Sequence, residues 1–396
     1  MGCNQFVLCL RGCCPGRDIL ERCELGTPES FSTGSKRNQL EILAMRFFSS
    51  LYEISLQAAT LTVLFLFFCS VASSQNQLPQ ALIREGQKAL DAGDFARAAG
   101  DFERARQFAP ESLEVNRGLL LSYLQGGRIA DAESVGQAAV ARWPKDAQLQ
   151  HWLGLVYFKK AQNSTALAWL QRSESLDGTQ YDVPFDLALV LLSDANYSQA
   201  ASELEKAIKL DPKSALAHVL LGRAYQNTNR TVQAVEQFQI ALRLEPAIPL
   251  GHYHLGFAYA SLGRNRDAIG EYEKELRQSA SSPEVFYQLG HCQLEAGDER
   301  SAIEHLQRAA ELDPKNPDAP YDLGKAFLLQ GETQGALIWL RRAVELGPAN
   351  PSPHYQLARA LEKIGKKEEA EHELATFIAL KKTQPATGGM ATGAIP

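Results

Sequence analysis

Residues 215–248 read ALAHVLLGRAYQNTNRTVQAVEQFQIALRLEPAI. Small residues recur inside this stretch, at Gly222, Ala234 and Ala241, between the bulkier Leu221, Tyr225 and Phe238, and Pro246 closes it. The pattern predicts two helices joined by a tight turn. Gly222 and Ala234 remove bulk so that the helices approach closely, and Pro246 cannot continue a helix and biases the residue before it toward extended backbone.

The same frame fits outward in both directions. Cuts every 34 residues fall before Pro79, Leu113, Ala147, Tyr181, Ala215, Pro249, Pro283, Pro317 and Pro351, with no insertion or deletion. The twentieth residue of every unit is then alanine: Ala98, Ala132, Ala166, Ala200, Ala234, Ala268, Ala302, Ala336 and Ala370. Nine aligned alanines are not chance. The eighth residue is Gly or Ala in all units except the second, where Leu120 stands, and the seventh is Leu from Leu119 to Leu357. One such unit cannot bury its apolar face, so stability must sum along a stack of neighbours.

These columns resemble the tetratricopeptide repeat family, whose mark is L-G-x-x-Y, A-x-x-x-F and P on this period. Leu221-Gly222, Tyr225, Ala234, Phe238, Ala241 and Pro246 carry it best, and the resemblance covers residue 79 to about 384. It implies an all-α, right-handed superhelical solenoid of nine helix-turn-helix repeats, with a concave groove lined by the first helix of each unit. It also implies a scaffold that binds proteins or extended peptides, often in complex assembly, rather than an enzyme. The register has soft places. Ser173 and Gly178 in the third unit, and Glu275 and Ala280 in the sixth, replace the usual Ala and Pro. Weaker seams are expected after those units, and Glu275 would be costly at a buried contact without a partner.

Residues 58–72 read AATLTVLFLFFCSVA, an uncharged run followed by Ser73, Ser74, Gln75 and Asn76. This looks like a secretory signal peptide cut near Ala72. Met45-Arg46 makes a natural start, so residues 1–44 are expected to be an untranslated or disordered leader and 45–73 the signal. The alternative is a membrane tether through residues 54–72, marginal because a spanning helix needs about 20 apolar residues. Either way the array is expected outside the cytoplasm, in assembly of an envelope or extracytoplasmic complex. Residues 385–396 are expected to be a disordered tail. Five of the seven cysteines lie before residue 24, without paired metal-site spacing, and only Cys292 lies in the body.

No catalytic or metal motif is present among the repeats, and no cofactor is expected. The net charge of −6 argues against a nucleic-acid partner, which needs clustered Lys and Arg. His218, His252 and His354 share the fourth position of their units and are read as packing substitutes for an aromatic residue. Asn163, Asn196 and Asn229 each begin an N-x-[ST] sequon near the turn within a unit. Helix capping is the favoured reading there, over glycosylation.

By the resemblance, the fifth residue of each unit faces the groove. That column includes Phe185 and then Tyr253, Tyr287, Tyr321 and Tyr355 in four successive units. Four residues on, the same face carries Arg223, Phe257, His291, Lys325 and Arg359 in the last five units. Tyrosines interleaved with cations suit a peptide with carboxylate groups. The alternative is a structural spacer with no groove ligand, or the repeat part of a system whose enzyme is a separate chain. The tyrosines would then only pack between helices, but packing alone favours Leu and Ala and does not call for hydroxyls.

Overall fold

The turn inside each unit sets the hairpin. The fifteenth residue of all nine units has positive φ: Gly93, Gly127, Gly263, Gly297, Gly331 and Gly365, but also Ala161, Ala195 and Asn229, at 56°, 55° and 60°. A left-handed residue stops the first helix and reverses the chain, and only glycine adopts it without a Cβ penalty of about 1–2 kcal/mol. Ala161→Gly and Ala195→Gly are therefore expected to stabilise the array by about 0.5–1 kcal/mol each, after the greater chain entropy of glycine is subtracted. Urea midpoints of the two variants check this.

The computed structural model describes residues 78–279 and 281–383. The expectations for the leader, the apolar run and the tail lie outside the described residues, as does Ala280. The first five units are α1 (78–91), α2 (Phe95–Phe108), α3 (Leu113–Gln125), α4 (Ile129–Arg142), α5 (Ala147–Lys159), α6 (Asn163–Leu176), α7 (Asp182–Ser193), α8 (Tyr197–Leu210), α9 (Ala215–Asn227) and α10 (Thr231–Leu244). The last four are α11 (Gly251–Ser261), α12 (Asn265–Gln278), α13 (Pro283–Glu295), α14 (Glu299–Leu312), α15 (Asp318–Leu329), α16 (Thr333–Leu346), α17 (Pro351–Lys363) and α18 (Lys367–Thr383). The described residues hold no strand. From α2 on, each helix packs on its chain neighbours, and the first helices touch one another from α3 through α5 to α7 and from α9 to α17. This is the all-α solenoid that the period predicts.

Size complementarity inside each hairpin explains the small columns. The twentieth-residue alanines are all buried, from Ala98 to Ala370. A Cβ added at Gly222 would come within 2.5 Å of the Phe238 ring, and one at Gly256 within 2.9 Å of Tyr272. The eighth residue is thus kept small to seat the large twenty-fourth residue. The second unit reverses the pair: Leu120 is fully buried and the twenty-fourth residue is Gly136, where a Cβ would stand 3.3 Å from a Leu120 methyl. The exception in the sequence is a swap of large and small.

Neighbouring units are clasped by side chains. Tyr123 and Tyr225 donate to Glu103 and Glu205 of the preceding unit at 2.6 and 2.7 Å, and Gln137 and Gln239 donate to Tyr157 and Tyr259 at 2.8 Å. Arg128, Arg230 and Arg264 lie over the tyrosine rings at 4.2, 3.9 and 4.4 Å.

The buried apolar residues form four clusters. One runs from Leu82 to Val190, one from Ala188 to Cys292, and two smaller ones follow, with breaks within α7, within α13 and between α15 and α16. Two breaks fall close to the expected seams and the third was not foreseen. The soft positions themselves are repaired. Ser173 Oγ donates to the Ala147 carbonyl at 2.8 Å. Glu275 is 2% exposed, and its carboxylate accepts the Tyr253 N–H at 3.1 Å. α11 has no side-chain cap of its own, because Leu250 precedes it with φ 60°. Glu275 therefore supplies the missing acceptor rather than standing unpaired.

Two further expectations are corrected. The fourth-position histidines are not simple packing groups. His218, His252 and His354 bond Gln237, Glu271 and Glu373 of the second helix at 2.6–2.7 Å, and His218 and His354 also reach the carbonyls of Pro212 and Pro348. Asn116 and Gln150 in the same column bind the Pro110 and Pro144 carbonyls, so a polar side chain here ties down the turn between units. The sequon asparagines do not cap either. Asn163 lies inside α6 and donates to Ser193 and Asp194, Asn196 donates to Gln199, and Asn229 supplies the left-handed turn. α6, α8 and α10 have no side-chain cap bond.

Candidate ligand groove

The nine first helices carry the predicted columns, but the exposure of those residues is graded. Phe185 is half-buried and stacks on Tyr181 at 5.4 Å. Tyr253 is 7% exposed, packed among Phe257, His254 and Tyr272, and offers a ligand little surface. Tyr287 and Tyr321 are half-buried, and Tyr355 is 40% exposed. The ladder thus emerges from the core toward the C-terminal end.

The charged column pairs with it along each helix. The Lys325 ammonium lies 5.8 Å from the Tyr321 ring centre, and Arg359 lies 5.9 Å from that of Tyr355. The Tyr287 and His291 rings are 6.0 Å apart. Two of these cations are already answered by the chain. His291 Nδ1 lies 2.8 Å from Asp322 Oδ2, and Lys325 lies 3.6 Å from Asp322 and 3.3 Å from Glu295. The hydrogen bond to Asp322 holds the His291 imidazole above its usual value. Burial, and then Asp322 and Asp318, push the Tyr287 phenol far up, so its hydroxyl stays a donor. Burial and Asp322 also raise the Asp318 carboxyl. Arg223 and Arg359 make no ion pair among the described residues.

Between α15 and α17 the surface opens into a hollow of 220 Å³ lined by Lys325, Leu328, Leu329, Gln356, Arg359 and Lys363. Two of these residues were predicted. The others sit at positions six, twelve and thirteen of their units, columns that the sequence shows as unrelated residue types and that only helix geometry brings onto one face. No helix among the described residues is long and apolar enough to cross a membrane.

Two family models, both described as tetratricopeptide repeat, match the chain. One matches residues 83–147, 123–180 and 287–351, and the other 191–252. The chain belongs to the tetratricopeptide repeat family. Among solved structures it is similar to the C-terminal part of a TPR repeat-containing protein from Cytophaga hutchinsonii, at 20% identity and a TM-score of 0.51, over 61% of this chain and 99% of that one. It is also similar to PilW, a type IV pilus biogenesis factor, at 21% identity and a TM-score of 0.46, over 52% and 94% of the two chains. Cut9–Hcn1 of the APC/C follows at 19% identity and a TM-score of 0.46, over 67% and 52%. Likeness at this level concerns the fold alone. A search of the curated proteins finds no match.

Proposed function

We propose that the chain is a protein-binding scaffold that holds an extended peptide along the first helices of its last three units. The observation that carries this reading is the emergence of the tyrosine ladder beside cations on α13, α15 and α17, ending at the exposed Tyr355 and the hollow of Lys325, Arg359 and Lys363. Tyrosine gives broad apolar contact with a hydroxyl, and the unpaired Arg359 and neighbouring Lys363 suit carboxylates on the ligand. Replacing Tyr321 and Tyr355 with alanine is expected to reduce peptide capture at least tenfold while moving the thermal midpoint by only a few degrees. Stability lost with capture per folded molecule unchanged would show that the ladder is only core.

We also propose that the array works outside the cytoplasm, in assembly of an envelope or extracytoplasmic complex. The uncharged run 58–72 and the single cysteine beyond it support this. N-terminal sequencing of the natural protein is expected to find a first residue close to Ser73. A first residue at or before Met45, or recovery from the cytosol, would contradict it.

A further inference from the structure

At the step from the fifth to the sixth unit, buried polar atoms collect without partners. Arg223 and Gln226 lie one turn apart on α9, and His254 lies on the adjoining α11. Gln226 is 8% exposed and His254 4%. Both amide atoms of Gln226, His254 Nδ1 and Arg223 Nε are buried with no hydrogen-bond partner among the described residues. Each such atom costs about 1–3 kcal/mol, and native structures hold few of them. Several polar side chains left unpaired at one step are groups that a polar ligand would satisfy.

The repeat shows what kind of occupant. Two units further along, His291 and Asp322 stand at the positions that Arg223 and His254 hold here, and they are bonded at 2.8 Å. Asp186 fills the sixth position of the fourth unit and bonds His151 at 2.6 Å. At two steps of the array a carboxylate at this position thus answers a first-helix imidazole. At the fifth step histidine stands there instead, and the cation remains unanswered. Burial, and then the charge of Arg223, push the His254 imidazole down to about 4, so it is neutral there. A guanidinium, a primary amide and a neutral imidazole together offer N–H donors to a planar anion.

We propose that Arg223, Gln226 and His254 form a pocket for an acidic side chain, Asp or Glu, of the peptide held by this scaffold. The proposal rests on the peptide-binding reading above and extends the ligand path to the middle of the array. Leu216 and Leu250, the second residues of the same two units, stand 51% and 48% exposed. The acidic side chain is accordingly expected between apolar ones within a continuing chain, not at a chain end.

The test uses the full chain on an array of eleven-residue peptides, acetylated and amidated, with central Glu or Gln among randomised neighbours. A further set lacks acidic side chains and has a free C-terminus. Wild type is expected to favour the Glu peptides at least tenfold over their Gln counterparts. Arg223→Gln should erase that preference. His254→Asp, which installs the carboxylate found at Asp322, should also erase it while helix content by circular dichroism is kept. Equal binding of Glu and Gln peptides, or a preference that survives both substitutions, would overturn the pocket while leaving the scaffold reading intact. Equal capture of the free-ended set would overturn the side chain as the source. No capture of any peptide would overturn both readings.

Discussion

Leu120→Gly combined with Gly136→Leu is expected to restore much of the stability that either change destroys alone. Leu120 is fully buried against the space above Gly136, so removing it leaves a cavity and a helical glycine, for a loss of about 3–5 kcal/mol. Leucine at position 136 meets Leu120 and Leu153 in a filled contact, for a loss of about 1–3 kcal/mol or more. The double variant recreates the arrangement of the other units, with a small eighth and a large twenty-fourth residue. A coupling of about 2 kcal/mol in the direction of recovery is expected. Units of a solenoid can unfold separately, so the readout should be local. Trp143, Trp152 and Trp169 pack against the apolar cluster that holds Leu120, which makes urea unfolding followed by tryptophan fluorescence suitable. Simple addition of the two losses would show that the columns do not pair.

Acid is expected to weaken the centre of the array before its carboxylates are protonated. His254 is 4% exposed, and burial and then Arg223 depress its folded-state value to about 4, against 6.5 in the unfolded chain. Between those values the unfolded chain binds the extra proton. Stability is therefore fully present above pH 6.5 and is lost as pH falls toward 4, by about 3 kcal/mol in all and about 2 by pH 5. His291 acts in the opposite sense. Its bond to Asp322 raises its folded-state value, so its contribution is complete below pH 6.5 and fades as pH rises through the folded value. Denaturant unfolding of wild type and His254→Gln between pH 5 and 7 separates the two. The variant should lose most of the fall between 6.5 and 5, and an unchanged slope would place the effect elsewhere.

The fold was legible because the 34-residue frame runs from Pro79 without a gap, so each column repeats one packing task nine times. Leu120 stood as an exception in that frame because its partner Gly136, sixteen residues on, was not read with it. The left-handed turn position escaped notice because Ala161, Ala195 and Asn229 break its glycine run. The asparagine sequons suggested caps because they lie near helix starts, but capping depends on one residue of register, and each asparagine misses it or turns elsewhere. The candidate site was legible in part. A column fixes which face of the helix a tyrosine is on, not how far the next unit covers it, so buried Tyr253 and exposed Tyr355 look alike in sequence. The pairing of His291 with Asp322, and the missing counterpart beside Arg223, join residues 31 positions apart on separate helices. No local pattern reveals them.

The most direct test of the scaffold reading is site-specific cross-linking. A benzophenone side chain in place of Tyr321 or Tyr355, on first helices, is compared with one in place of exposed Lys209 on the second helix α8. Each protein is illuminated with the tightest peptide from the array, and the adducts are mapped by mass spectrometry. Adducts are expected from the first-helix positions, competed by unlabelled peptide, and none from position 209. Equal labelling from all three positions, or labelling from position 209 alone, would contradict it.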